Sequence, residues 1–491
     1  MARLDQLPTD ILLYIISLCE LVDVATFATV CRALREISST HRSLWIGALE
    51  NARRVDPIAC TFNEDLTAHD IPTLKTIALH TLRLRRNWAR REPRIIGPIK
   101  AFTLGLQLLD VIFQVPGSEL YLFHSRTRGT VEAWDIGSAR QVAPPVYVAK
   151  KILDVSPGQD LPGKFSMGLL TSETPENDNN KLIIVCLEYG KNGVSIKLAI
   201  QHTFEAEMYH WAVFMSPEVV GVLRCNPGIM LEDETIDIIA LNISTGRRAY
   251  IKTDIARDDF PFEGQSGTTM VDGCLSIVTE FGDDSTVYTC LKKHLPHDGN
   301  PNCPERVTLK CPPLRGGKTP PRPDEGTFVP EGVLSADSFY GVPAVSLQLI
   351  NEELDRGVTR QSIEIIFWTS VKRDTQTEDE MTAAGRPCFR VEPHDPVAIP
   401  GCLQDSSDSS WQLMLLPHSG RKVLLVINNN ENQPILYLVN FDHDTNTPSL
   451  HVINLPSFID LSLVHGLSLD DHRGVITLLD TRGSLFAIPF A

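Results

Sequence analysis

The sequence predicts an α+β chain of more than one domain: a small helical unit and a helical linker, followed by an all-β region built as a seven-bladed propeller. Three observations carry this. Apolar residues recur at helical spacing up to about residue 95, and no long helical period follows residue 100. From about residue 99, short runs rich in Val, Ile, Leu, Tyr and Phe alternate with Gly, Asn, Asp and Pro. Charge divides at the same place: residues 1–100 carry 14 Lys and Arg against 11 Asp and Glu, and the remainder carries 31 against 50. The boundaries drawn on this basis are 1–55 for the first helical unit, 56–95 for the linker and 96–491 for the β region.

Residues 7–54 read as short helices. Pro8 suits a first helical position, where its missing N–H is no loss, and Asp10 sits in the first turn, where the helix dipole favours an anion. Ile11, Leu12, Ile15, Ile16 and Leu18 make a broad apolar face. Asp23 is placed to cap a second helix carrying Val24, Phe27 and Val30. Arg32, Leu34, Arg35 and Ile37 continue the spacing, and Leu44, Trp45 and Leu49 belong to a further helix. A unit of about 45 residues has too little interior for so many apolar side chains, so part of that surface is expected to meet a partner. In the linker, Thr67 and Asp70 are candidate caps, Pro72 a first-turn proline, and Leu74, Ile77, Ala78 and Leu82 the inward stripe. The run Arg83 to Arg91 reads as a solvated helix face with Trp88 packed against the β region; binding of an acidic partner or nucleic acid is the alternative.

Within the β region, Gly129-Thr130-Val131-Glu132-Ala133-Trp134-Asp135-Ile136 resembles the end of a WD repeat. Weaker echoes lie at 193–200, 238–246, 286–291, 363–369, 435–441 and 482–488. Their irregular spacing leaves one or two β-sandwiches as the competing architecture. Two loops, 294–330 and 372–386, read as mobile insertions, and 405–410 as a shorter polar tip.

Composition narrows the function. The chain is 43% hydrophobic and 22% charged, an ordinary globular make-up, with a net charge of -16. That charge argues against nonspecific binding to nucleic acid or anionic membrane. The 11 cysteines are scattered, none in a Cys-x-x-Cys pair, as expected of reduced thiols in the cytoplasm or nucleus. Neither a secretory leader nor a bilayer-spanning apolar run is visible. There is no phosphate-binding glycine loop, no Gly-x-Ser-x-Gly elbow and no His-Glu-x-x-His, so catalysis has little support and no cofactor is expected. The acidic clusters 232–234 and 378–380 read as solvated loops. His294, His297, Cys303 and Cys311 crowd one loop, but their spacing fits no standard zinc site.

One motif is specific. Leu7-Pro8-Thr9-Asp10-Ile11-Leu12, then Val30-Cys31-Arg32, then Leu44-Trp45 resembles the F-box in order and spacing. It departs from the common pattern at Leu34, where many members have Trp, and at Asp10, often Glu. The resemblance implies that the N-terminal unit binds the Skp-family adaptor of a cullin-based ubiquitin ligase and that the remainder holds a protein substrate. The adaptor contacts it implies fall on Leu7, Pro8, Ile11, Leu12, Ile15, Val30, Cys31, Leu44 and Trp45. Of these, Leu7, Pro8, Ile11 and Leu12 are expected at the surface, while Ile15, Val30 and Trp45 compete for places in the core. A scaffold that uses the F-box without ubiquitylating anything is the alternative. Because the β region is acidic and its arginines are scattered, a basic or neutral substrate segment is expected rather than a phosphopeptide.

Overall fold

The computed structural model describes residues 7–491 except 62–63, 105–108, 162, 174–179, 191–192, 205–207, 226–234, 257–265, 272, 282–283, 301, 311–313, 316–326, 336–343, 355–357, 373–388, 404–410, 416–418, 429–432, 443–444 and 446. The acidic clusters 232–234 and 378–380, the polar tip 405–410 and all of the second insertion but Lys372 lie outside the described residues.

Four helices form the N-terminal unit: α1 Thr9–Ser17, α2 Leu21–Val30, α3 Arg32–Thr40 and α4 Arg42–Arg53. Pro8 stands one place before α1, and Asp10 lies in its first turn. Asp23 caps nothing. The α2 helix starts at Leu21 after an extended Glu20, which puts Asp23 inside the first turn, where it faces the dipole instead. Cys31 breaks α2 from α3 by adopting an extended conformation, with φ -149° and ψ 169°. Leu21, Val24, Leu44, Ala48 and Leu49 form the centre of this unit, joined by Leu66, Leu74 and Ala78 from the linker.

The linker is mostly α5, Ile71–Trp88. The Asp70 carboxylate caps it by accepting from the Thr73 N–H at 2.9 Å. Thr67 is not a cap; it donates to Asp65, which begins a single 3-10 turn at Leu66–Ala68. Leu74, Ile77, Ala78, Thr81, Leu84 and Trp88 are buried at helical spacing.

Among the described residues, the strands form seven antiparallel-based sheets. In chain order they span 109–147, 151–203, 209–256 with 306–308, 266–290 with 314–315, 327–403, 411–453 and 464–489. The last sheet is completed by Lys100–Thr103, which pairs with Ser484–Pro489 in the register Lys100↔Ala487. Each sheet packs on the next. Phe113 stacks on Phe165 at 4.0 Å between the first and second. Leu170 and Leu182 meet Val213 and Val220 between the second and third. Ile238 and Ile251 meet Leu275 and Tyr288, and Val278 and Val287 then meet Trp368. Phe367 stacks on Phe441 at 5.1 Å between the fifth and sixth. Leu424 and Leu436 meet Leu478 and Ile488, and Leu479 and Leu485 meet Tyr121 and Phe123 of the first sheet again. The sheets therefore close a ring, which makes the region a β-propeller and sets aside the sandwich alternative. Each of the seven sequence echoes falls in a different sheet.

The first insertion is not a free loop throughout. Leu295 and Cys303 are buried between the third and fourth sheets. Arg306–Thr308 adds a parallel strand to Arg248–Ala256 in the register Ile251↔Val307. An edge strand with unpaired backbone groups and a few apolar residues among the prolines accounts for this capture. Cys311 lies outside the described residues, and among the described residues no three potential metal ligands converge.

Candidate functional site

The helical unit has two contrasting faces, and the inner one positions the outer. On the inner side, α5 and the 55–60 turn are bolted to the last two sheets. Trp88 stacks on Phe490 at 4.8 Å and, with Leu84, enters the core of those sheets. His472 Nδ1–H donates to the carbonyls of Ile58 (3.0 Å) and Cys60 (3.1 Å). His80 Nε2–H donates to the Arg473 carbonyl at 2.9 Å. Arg421 pairs with Asp56, which also forms an ion pair with Arg85 at 3.0 Å. Gly117 and Gly474 have φ near +70° and no room for a side chain: a Cβ on Gly117 would lie 2.3 Å from the Cys60 carbonyl oxygen, and one on Gly474 2.1 Å from Leu84. The Asp470 carboxylate supports both turns, accepting from the N–H groups of Gly117, His472 and Arg473. Burial pushes its pKa up to about 7, against the opposing pull of Arg473 and the backbone donors.

The outer face is apolar and open. Ile11, Tyr14 and Ile15 of α1 and Leu18 at its C-cap stand at the i, i+3, i+4, i+7 spacing of one helical stripe, and all are exposed, Tyr14 by 67% and Leu18 by 73%. On α2, Val22 is exposed as well, and Val30 at its far end is 68% exposed. The opposite side of α1 is spent on the core, with Leu12 and Ile16 at 1% and 3% exposure. This distribution follows from size: four short helices cannot enclose both sides of α1.

Burial sorts the nine residues singled out by the motif. Pro8, Ile11, Ile15 and Val30 are exposed, and Leu7 and Cys31 half-buried. Leu12, Leu44 and Trp45 are buried in the core; Leu12 was expected at the surface, and the packing of α1 on its companions turns it inward. Trp45 is held inside by its own hydrogen bond, Nε1–H to the Ser38 carbonyl at 2.8 Å, and Leu44 belongs to the same cluster as Leu21 and Val24. Tyr14, Leu18 and Val22, outside the motif residues, are exposed as well. Leu18 follows Ile11 by seven residues, so the helical period alone puts it on the same face.

Residues 4–47 match the F-box-like family. The chain carries an F-box-like domain. It occupies the tenth of the sequence that holds the exposed α1 stripe, and the propeller follows it. No curated protein matches the chain at a significant level. Among solved structures, the WD40 domain of SCAP from fission yeast is 7% identical, covering 80% of this chain and 98% of that one, with a TM-score of 0.34. The Nup133 β-propeller domain of Vanderwaltozyma polyspora is 7% identical, covering 81% and 99%, with a TM-score of 0.37. Kluyveromyces lactis Hsv2 is 8% identical, covering 70% and 84%, with a TM-score of 0.30. Overlays at these scores carry no argument, and the propeller rests on the strand pairing described above.

Proposed function

We propose that this protein is a substrate-recognition subunit of a Skp/cullin/F-box-type ubiquitin ligase, with the F-box-like domain binding the adaptor and the propeller binding the substrate. The observation that carries the reading is the unpartnered apolar stripe Ile11, Tyr14, Ile15 and Leu18 on the F-box-like domain. Fully burying a large aliphatic or aromatic side chain gains roughly 1.5–3 kcal/mol. Four such residues therefore offer at most on the order of 10 kcal/mol before the cost of association, so they anchor the contact and further contacts around them supply the rest of the affinity. The chain itself contributes no acid, base or nucleophile in this scheme; it holds two proteins at a fixed relative orientation.

Capture of a purified Skp-type adaptor by the full-length chain is the direct test. The wild type is expected to retain it, and Ile11→Asp with Leu18→Asp to lose at least about a hundredfold in affinity, since two buried charges are introduced into an apolar contact. Absence of adaptor binding by the folded wild type removes the reading. Accumulation of a propeller-bound protein when the chain is depleted then separates a ligase receptor from a scaffold.

A further inference from the structure

We propose that the groove at the C-terminal end of α5, lined by Arg90, Arg91 and Arg94, is a docking site for an acidic polypeptide segment. The groove has a volume of about 560 Å³, with Ile95 and Asn454 completing its wall. It shares no residue with the α1 stripe and does not depend on the adaptor reading.

Three observations support it. First, the charge is concentrated and unanswered. The chain as a whole carries -16, yet these three arginines are exposed, and none makes an ion pair among the described residues. Arg83 and Arg86 precede Arg90 at three- and four-residue spacing and are exposed as well. The acidic side chain in the lining is Glu92, whose carboxylate accepts from Asn454 Nδ2 at 3.4 Å. Three guanidinium groups within five residues repel one another, and an entering carboxylate relieves that repulsion while accepting paired N–H bonds.

Second, the backbone that carries the arginines is fixed in advance. Asn87, 2% exposed, donates from Nδ2 to the carbonyls of Arg94 and Phe490, each at 2.7 Å, and accepts the Arg94 N–H at 2.9 Å. The Arg90 N–H donates to the Asn87 carbonyl at 3.1 Å. A buried asparagine is thus devoted to closing one loop of exposed cations, an arrangement that lowers the ordering cost of binding. The helix dipole explains Arg85 and Arg86, which lie in the last turn of α5; it does not explain the three arginines beyond the helix end.

Third, the lining favours peptide over single-stranded nucleic acid. None of the lining residues is aromatic, so there is no platform for a base to stack on. Ile95 in the wall and the exposed Ile96 beside it suit an apolar residue flanked by Asp and Glu.

The test uses the full-length chain and three fluorescein-labelled probes: a short Glu/Asp-rich peptide with one central Leu, its Gln/Asn counterpart, and an oligothymidylate. The acidic peptide is expected to bind, and to bind less well as salt is raised, because exposed charges are screened over about 8 Å at physiological ionic strength. The combined Arg90→Gln, Arg91→Gln, Arg94→Gln variant is expected to lose about tenfold or more in affinity, and Arg32→Gln with Arg35→Gln on α3 to lose nothing. If the triple variant does not fold, single Arg91→Gln and Arg94→Gln variants, each weakening binding about threefold, make the same comparison. No binding of the acidic peptide, equal binding of the neutral one, unchanged affinity in the arginine variants, or tighter binding of the oligothymidylate each overturns the proposal.

Discussion

The two faces of the helical unit solve opposite problems with opposite chemistry. Toward the propeller it presents directional groups: the carbonyls of Ile58 and Cys60 for His472, Asp56 for Arg421, and His80 for the Arg473 carbonyl. Toward solvent it presents the hydrocarbon of Ile11, Ile15 and Leu18 and the ring of Tyr14. Directional bonds set an angle between two bodies, whereas apolar surface supplies affinity with little say over angle. A protein that must hold a partner at a set position relative to its own propeller needs the first kind of contact inside the chain and the second kind outside it. The difference also separates stability from binding, and that separation can be attacked from either side.

The largest expected effect is on the inner face. Trp88→Ala removes the ring stacked on Phe490 and leaves a hole between α5 and the last two sheets, so the chain is expected to lose about 3–5 kcal/mol of stability by chemical denaturation. A loss below about 1 kcal/mol would mean that the helical unit is not anchored there.

Next in size is a pH dependence. The Asp470 carboxyl has its pKa raised by burial to about 7, above the value near 3.9 expected in the unfolded chain. The folded state therefore holds a proton that the unfolded state releases. This group's favourable contribution is complete below about pH 4 and is lost as pH rises through 7. Asp470→Asn cannot titrate and keeps an acceptor for the turn. The stability of the wild type relative to this variant is expected to fall by up to about 4 kcal/mol between pH 4 and pH 8, read from paired denaturation curves. A constant difference across that range excludes the assignment.

Gly117→Ala addresses the backbone approach itself. Its Cβ would meet the Cys60 carbonyl oxygen at 2.3 Å, at a φ of +73°. Neither backbone can yield without moving the turn from the 55–60 segment, so a loss of about 1–3 kcal/mol is expected. Hydrogen exchange should locate the loosening at residues 56–60 and 115–118; protection lost uniformly across the molecule would contradict a local role.

The smallest effect sharpens the contrast most. Tyr14→Ser with Leu18→Ser replaces two large apolar side chains that stand mostly in solvent. Stability is expected to change by less than about 0.5 kcal/mol, because little buried contact is lost. A destabilisation comparable to that of Trp88→Ala would show the outer face to be part of the chain's own core.

Local patterns carried much of the fold. The change of period near residue 99, the Asp70 cap, the strands at 130–135 and 435–441 and the separate units of the ring follow from spacing and turn residues that act over a few positions. Errors arose where distant segments decide. Leu295 and Cys303 sit in a proline-rich stretch with no strand period, yet they are buried because an open sheet edge takes up Arg306–Thr308. Asp23 was misplaced by one turn, a difference that depends on how the Glu20 backbone enters α2.

The motif of Leu7, Pro8, Ile11, Leu12, Val30, Cys31, Leu44 and Trp45 determined by itself which module stands at the N-terminus, since order and spacing along four short helices are properties of the chain. It did not determine which of those side chains face outward. Leu12 and Ile11 are neighbours of equal hydrophobicity; one is 1% exposed and the other 45%. That choice belongs to the packing of α1 on its companions, because a helix turns by about 100° per residue and only a neighbour in space decides which side is covered. The same holds for the junction: nothing near Ile58 or Cys60 in the chain announces His472, more than four hundred positions away, and only the closing of the ring brings them together.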